Sequence, residues 1–184
     1  MSVLLVNGSP HANGETAKSL KNIEKTLKSH GQTVTWFQLD AAPVRGCIDC
    51  CKCAGTHRCI FTDDQCNALI EAMLAADGII IGTPVYFAGA NGALCALLDR
   101  VFYAASNFGR LFAGKPAAAI ATCWRAGGTS AMERINRYFT FSEMPVVSSN
   151  YWNMHMTGHD SYGDGIMWQL GVNMADLLDK GERK

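Results

Sequence analysis

Apolar and polar positions along the chain follow two alternating periods, one typical of buried strands and the other of amphipathic helices. Short apolar runs, several of them rich in β-branched residues, predict five strands. They lie at 3–6, 33–39, 78–82, 117–123 and 145–149. Intervening segments carry apolar residues three and four positions apart, as at Leu20, Ile23 and Leu27, which predicts helices. The remaining chain is expected to be irregular over 150–165 and helical over 166–178.

Strands that alternate with helices indicate an α/β class. Because parallel strands need crossover connections, the pattern predicts a doubly wound, five-stranded parallel sheet with helices on both faces. The 184 residues suit one domain, 1–184, with a cysteine-rich loop inserted at about 43–62. Ligands of such sheets bind beyond the carboxyl ends of the strands, where the strand order reverses. The loops after the first, third and fourth predicted strands belong to that edge.

Composition narrows the possible partners. The chain has 16 basic and 16 acidic residues, so it lacks the positive charge that nucleic acid or an anionic membrane surface attracts. No uncharged apolar run approaches the ~18 residues of a membrane span. The first ten residues lack the features of a secretory signal, so a cytoplasmic location is expected. Charged residues make up only 17%, which predicts surface covered in a homodimer or homotetramer.

The loop after the first strand, SPHANGET (9–16), has the composition of an anion cradle. Ser9 and Thr16 supply hydroxyls, Asn13 an amide, and Gly14 permits close backbone approach. Since the loop contains neither Lys nor Arg, it would bind a phosphate through N–H groups, hydroxyls and the positive end of a helix dipole. It matches neither of the usual glycine-rich nucleotide motifs, and an ordinary strand-to-helix turn is the alternative.

Two further loops belong to the same edge of the predicted sheet. TPVYF (83–87) combines a small hydroxyl residue, a proline and two aromatic residues, which suits the wall of a site for a planar ring. Packing aromatics are the alternative. WRAGGT (124–129) is a glycine-containing loop after the fourth strand. Three such loops at one edge favour a cofactor site.

The chain resembles the flavodoxin-fold NAD(P)H-dependent FMN oxidoreductases, and among them the iron-sulfur flavoproteins of anaerobes. The resemblance covers nearly the whole chain and rests on four segments. They are NGSPHANGET, GTPVYFAGANGALCALLDR, RAGGT and LGVNMADLL. It implies a flavodoxin-like fold and an FMN enzyme whose flavin N5 carries the chemistry. Electrons would come from NAD(P)H or a ferredoxin-type carrier and pass to an acceptor, with redox small molecules as the other partners.

The same resemblance implies roles for individual residues. The FMN phosphate would be held by Ser9, Asn13 and Thr16, while His11 stands where many relatives carry an arginine. The border of the flavin ring would be formed by Thr83, Pro84, Val85, Tyr86 and Phe87, and its other edge by Arg125, Gly127 and Gly128. No protein side chain is expected to act as a general acid or base.

Five of the eight cysteines fall within residues 47–59. Cys47, Cys50, Cys53 and Cys59 have the spacing CxxCxxCx5C, which matches the compact motif of iron-sulfur flavoproteins. Thiolates at this spacing can converge on one 4Fe–4S cluster. A zinc site, unligated thiols and disulfides remain alternatives, and Cys51 is an additional thiol. The other three are expected to be buried small hydrophobes: Cys66, Cys95 and Cys123.

Two other functions remain open at this point. A cluster-free reductase of free flavin or quinones would use the cysteine-rich loop as a lid. A flavodoxin-like electron carrier or a redox sensor would turn over no substrate. Asp99 and Arg100 are interpreted as a structural or solvated pair rather than as catalytic groups.

Overall fold

A computed structural model describes residues 1–182 and has the predicted doubly wound α/β architecture. Residues 183 and 184, the end of the predicted 1–184 domain, lie outside the described residues. The strands are β1 Ser2–Asn7, β2 Thr33–Gln38, β3 Gly78–Tyr86, β4 Gly89–Ala90, β5 Ala117–Cys123 and β6 Met154–Met156. The helices are α1 Glu15–Ser29, α2 Cys66–Ala75, α3 Gly92–Ser106, α4 Gly128–Phe141 and α5 Ser161–Glu182.

The sheet has the order β2-β1-β3-β5-β6, and all of these neighbours run parallel. Counted without the short antiparallel β4, this is the 2-1-3-4-5 order of a flavodoxin-like fold. Strand order reverses between β1 and β3, so the crossover helices leave these strands on opposite sides. The carboxyl ends of β1 and β3 therefore border the crevice in which ligands of this fold bind.

The two faces of the sheet are buried under different helices. On β3, Ile79 and Ile81 pack in a core shared with α2, α3 and α4. Ile80, on the opposite face, packs in a second core with α1 and α5. A central strand covered on both sides must be apolar at every position, which is why the run at 78–82 shows no polar alternation. Among the described residues, none of the helices has the length and apolar character of a membrane span.

The prediction of a last strand at 145–149 was wrong. Its only ladder contact is an isolated bridge between Val146 and Ala117, and the fifth parallel strand is β6. Asn153 explains the arrangement, because its Nδ2 lies 3.2 Å from the carbonyl oxygen of Ala119 and 3.4 Å from that of Val147. That one side chain thereby secures both segments beside β5.

The irregular segment predicted at 150–165 was also wrong in part, since it contains β6 and the first turn of α5. Asp160 allows α5 to begin at Ser161, five residues earlier than predicted. Its Oδ1 accepts a hydrogen bond of 2.9 Å from the N–H of Gly163, which satisfies a donor in the first turn.

Asp99 and Arg100 do not pair with each other, contrary to the sequence interpretation. Both lie inside α3, where consecutive residues point about 100° apart. Asp99 Oδ1 is 2.9 Å from Arg134 Nη2 of α4, whereas the buried Arg100 pairs with Asp64.

Candidate cofactor site

The loop between β1 and α1 is held in place by hydrogen bonds of its own residues. The N–H of His11 donates to Ser9 Oγ at 3.2 Å, and the N–H of Ser9 donates to Asn7 Oδ1 at 3.2 Å. Gln38, at the end of β2, donates to the carbonyl oxygen of Ser9 at 2.6 Å. Ser9 is buried, while His11 and Asn13 are exposed. The loop is therefore a preformed turn with its outer side chains open to a ligand.

Helix α1 begins without a side-chain cap. Its N-cap residue is Gly14, so no side-chain oxygen accepts from the first-turn N–H groups. Such a helix start binds anions through those N–H groups and the helix dipole. The acidic Glu15 in this turn is paired with Lys18 at 2.6 Å, and that hydrogen bond holds the pKa of Glu15 below its usual value.

A lysine that the loop sequence does not contain reaches the same place. Lys21, from the second turn of α1, has its Nζ 3.4 Å from Asn13 Oδ1. The loop sequence did not indicate it, because Lys21 belongs to the helix that follows. The helical period brings position 21 round toward the loop, so the signal was present.

Thr16 is directed into the protein. Its Oγ1 lies 2.7 Å from Thr122 Oγ1 of β5, and both residues are buried. A Cβ atom on Gly82 would lie only 2.9 Å from Thr16 Cγ2, so the glycine makes room for this contact across β3. The hydroxyl thus fastens α1 to the sheet, and its assignment as a phosphate ligand stays a prediction.

The segment 83–90 is a β-hairpin. β3 continues to Tyr86 and turns back into β4, with Tyr86 paired to Gly89. The two turn residues, Phe87 and Ala88, have φ of 47° and 61°. Two-residue hairpin turns of this kind favour Asn and Gly, so these residues hold a strained backbone. The side chain of Phe87 is fully exposed and Tyr86 is 45% exposed, so neither is a core-packing aromatic of this chain.

Asn91 joins the hairpin to the first loop, and the sequence analysis did not single it out. Its Nδ2 donates to the carbonyl oxygen of Gly8 at 2.8 Å, and its N–H donates to Thr83 Oγ1 at 3.0 Å. Its Oδ1 caps α3 by accepting from the N–H of Ala93 at 3.0 Å. An Asn directly before a helical segment was the available signal. Thr83 is wholly buried and serves this internal contact.

The third loop packs directly on the hairpin turn. Gly127 has a φ of 86°, and a Cβ atom there would lie 2.6 Å from the Cα of Ala88. Gly128 is equally confined, since its Cβ would lie 2.3 Å from Met154 Sδ. Trp124 and Arg125 are exposed. The fold therefore brings all three predicted loops together at the carboxyl edge of the sheet.

The cysteine-rich loop folds against α3 and encloses a small cavity. Its lining includes all four cysteines of the motif and the additional Cys51. The lining is completed by Ile48, Ile60, Phe61, Arg100, Tyr103 and Ala104. Burial raises the pKa of the Cys53 thiol, and negative charge on the neighbouring thiols would raise it further. Mostly apolar walls and one cation surround a set of soft sulfur donors.

The donor set suits a cluster chemically, because thiolates are the usual ligands of iron-sulfur centres. No group of three or more His, Cys, Asp or Glu side chains within residues 1–182 is arranged to hold a metal ion. The four thiols therefore share a cavity but must approach one another further to ligate a cluster.

The cysteines outside the loop agree in part with expectation. Cys66 and Cys123 are buried, and burial raises the pKa of Cys66 to about 12. Cys95 was expected to be buried but is only partly buried, because it lies on the side of α3 that faces Arg134.

Comparison with known proteins gives a consistent result. A family model described as NADPH-dependent FMN reductase matches residues 1–159. An iron-sulfur flavoprotein of Methanocaldococcus jannaschii is 28% identical over 98% of this chain and 94% of its own length. A second iron-sulfur flavoprotein of that organism is 32% identical over 82% of this chain and 77% of its own length.

Solved structures agree on the fold. The flavodoxin, WrbA-like protein from Agrobacterium tumefaciens superimposes with a TM-score of 0.72 at 14% identity. That superposition covers 97% of this chain and 98% of the other. At this identity the likeness supports the flavodoxin-like architecture and nothing finer.

Proposed function

This chain belongs to the NADPH-dependent FMN reductase family, and we propose that this FMN-dependent oxidoreductase carries a 4Fe–4S cluster for electron exchange with its donor or acceptor. FMN, when bound, supplies hydride acceptance at N5 and conversion between two-electron and one-electron transfer. NAD(P)H and a ferredoxin-type carrier are the donor classes in this proposal. The protein's own residues bind and orient the cofactors.

The three joined loops would hold FMN with a division of roles. The uncapped start of α1 and Lys21 would face the phosphate, whose negative charge both would stabilise. The hairpin turn at Phe87 and the loop at Gly127 would border the ring. Thr16 and Asn91 lie beneath these loops and keep their spacing. The strained turn at Phe87 and Ala88 fits a surface shaped for a ligand.

One observation carries the cluster: the fold gathers Cys47, Cys50, Cys53 and Cys59 around a single cavity although Cys59 is twelve positions from Cys47. Four thiols around one cavity form the donor set that iron-sulfur centres use. Iron-sulfur flavoproteins among the relatives support the same assignment.

The test is the content of iron and acid-labile sulfide per FMN in protein purified without oxygen. About four of each per flavin is expected for this ligand set. Cys50→Ser should lower the iron content strongly while FMN is retained, because the cysteine-rich loop lies apart from the phosphate loop in the sequence. Cys51→Ser is the matched control, since it removes a thiol from the same cavity but not from the motif.

Each outcome has a distinct meaning. Flavin without iron would overturn the cluster and leave a cluster-free FMN reductase. About one zinc per chain would identify a tetrahedral thiolate site instead. Equal loss of iron in Cys50→Ser and Cys51→Ser would contradict the assignment of these four ligands.

We also propose that the chain assembles as a homodimer or homotetramer. Two observations support this: charged residues make up only 17% of the chain, and large aromatic side chains are strongly exposed at Trp124 (80%), Phe141 (78%) and Trp152 (58%), where a second copy could cover them. Light scattering on the FMN-loaded protein tests this, and a monomer at micromolar concentration would refute it. The cytoplasmic location stays a prediction of the sequence.

A further inference from the structure

Arg100 is a buried arginine of α3 whose guanidinium faces the cysteine-rich loop. Its side chain is 1% exposed and pairs with Asp64, which is 5% exposed. Arginine is almost never buried to this extent without partners, because desolvation of its charge is costly. Burial acts to lower the pKa of Arg100, but hydrogen bonds to Asp64 and Cys59 more than offset this and raise it.

The guanidinium contacts both ends of the loop. Nη1 lies 3.3 Å from the carbonyl oxygen of Arg45, just before the first cysteine of the motif. Nη2 lies 3.4 Å from the carbonyl oxygen of Phe61, just after the last. A single side chain therefore spans the entry and exit of the segment that carries the ligands.

The sulfur of Cys59 accepts hydrogen bonds from two N–H groups of Arg100. Arg100 Nε and Nη2 each lie 3.3 Å from Cys59 Sγ. This parallel pair of donors is the fork that a guanidinium presents and a lysine cannot. Arg100 is also the one cationic side chain that lines the cavity. The pair with Asp64 would be sufficient if Arg100 served only to stabilise the fold. The two contacts with Cys59 Sγ are additional to that pair.

We propose that Arg100 is a positioning residue for the cluster, which directs the Cys59 sulfur into the cavity and raises the cluster's reduction potential. This inference rests on the proposed cluster. Reduction adds negative charge to the iron-sulfur centre, and hydrogen bonds to its sulfur ligands stabilise that charge. Removal of the two donors therefore makes the potential more negative.

The experiment compares anaerobically purified, FMN-loaded protein with three variants. Arg100→Lys keeps the charge but loses the fork. Arg100→Met combined with Asp64→Asn removes both charges, so no unpaired ion is buried, and Asn retains an acceptor for the N–H of Cys66, which Asp64 Oδ1 accepts at 3.0 Å. Arg134→Met is the matched control, because it breaks an arginine–aspartate pair of α3 and α4 that lies outside the cavity lining.

The readouts are iron per FMN, the thermal unfolding midpoint, and the midpoint potential followed by the electron paramagnetic resonance signal of the reduced cluster. We expect a more negative potential and an altered signal in Arg100→Lys, with Arg134→Met unchanged from the wild type. Loss of iron from Arg100→Lys at unchanged FMN content and unfolding midpoint also supports the proposal. If Arg100→Lys does not fold, the same comparison is made with the double variant.

The outcomes separate this inference from the function on which it rests. Wild-type protein that holds FMN but no iron overturns the cluster and the role of Arg100 together. The role of Arg100 alone is overturned if the wild-type protein holds a cluster and the potential and signal of that cluster are unchanged in both Arg100→Lys and Arg134→Met.

Discussion

The hydroxyl oxygens of Thr16 and Thr122 lie 2.7 Å apart in a buried contact between the start of α1 and the end of β5. The two residues are 106 positions apart. Because α1 begins where the phosphate loop ends, this hydrogen bond fixes the position of the phosphate loop relative to β5. It thereby also fixes its position relative to the loop at 124–129, which follows β5. A substitution at Thr122 therefore alters the position of the phosphate loop through Thr16.

Thr122→Val is expected to lower the free energy of unfolding by about 1–3 kcal/mol, because it leaves the Thr16 hydroxyl buried without its partner. Urea denaturation of the single and double variants measures this. The double variant Thr16→Val with Thr122→Val should lose less than the sum of the single losses, since both hydroxyls are then absent. Strictly additive losses would show that the contact contributes nothing to stability.

Lys21→Met is expected to weaken the binding of FMN but not of riboflavin. Lys21 Nζ lies beside Asn13 in the phosphate loop, and a cation there acts on the phosphate that riboflavin lacks. Because Lys21 is exposed, the effect is limited to about 1 kcal/mol, or roughly fivefold in Kd, and salt should reduce it. Fluorescence titration of both flavins measures the ratio.

Lys25→Met is the control for the lysine experiment, because Lys25 is an exposed residue of α1 farther from the phosphate loop in the sequence. It should leave the FMN to riboflavin ratio unchanged. Equal effects of the two substitutions would mean that only the general charge of the helix matters.

Gly127→Ala should damage both the fold and the flavin site. At a φ of 86° any side chain is strained, at a cost of about 1–2 kcal/mol, and here the new Cβ would also lie 2.6 Å from the Cα of Ala88. The hairpin turn must move, so we expect FMN affinity to fall as well as stability. Flavin titration and thermal unfolding together measure the two effects.

Gly114→Ala separates the two causes. Gly114 has nearly the same φ, 80°, but a Cβ atom there would meet nothing within 4 Å. It should show the backbone cost alone, with unchanged FMN affinity. A loss of affinity in Gly114→Ala as large as in Gly127→Ala would contradict the role of the close approach to Ala88.

Asp160 makes the stability depend on acidic pH. Partial burial acts to raise the pKa of its carboxyl group. Hydrogen bonds from the N–H groups of Met156 and Gly163 outweigh this effect, so that the pKa is lowered overall. The folded pKa therefore lies below the unfolded value of about 3.9. The resulting stabilisation is complete well above that value and is lost as the pH falls through the folded pKa.

Asp160→Asn tests this pH dependence. Denaturant unfolding between pH 2.5 and 7 should show the variant less stable than the wild type near neutrality, with a difference that shrinks below the unfolded pKa. Asp176→Asn, at an exposed site on α5, controls for the removal of a surface charge. A difference for Asp160→Asn that stays constant down to the lowest pH would contradict the assigned pKa shift.

Several features of the site were predictable because their signals are local. The apolar run at 78–82 indicated a central strand, and the glycine-containing loops at 9–16 and 124–129 indicated turns at its edge. The aromatic segment at 83–87 lies at the predicted edge of the sheet, but its prediction as a loop was wrong, because β3 continues to Tyr86 and turns back into β4 as a hairpin. Nothing in the sequence of Phe87 and Ala88 favours a left-handed turn, and only the structure shows that the third loop packs against this turn at Gly127.

Two of the wrong predictions share a physical cause. The run at 145–149 is apolar enough for a strand, but β6 took the position beside β5 because Asn153 secures the chain there. Asp99 and Arg100 are adjacent in the sequence, yet the helix points them to different partners. In both cases a long-range contact outweighed the local pattern.

The sequence by itself determined the α/β class, the loops of the carboxyl edge and the spacing of the four cysteines, because periodicity and spacing are local properties of the chain. Only the tertiary structure decided which polar groups meet: Thr16 with Thr122, Asn91 with Gly8, and Arg100 with Cys59. Those contacts join residues from 41 to 106 positions apart. They depend on the strand order and on how the helices pack, and no local period encodes either one.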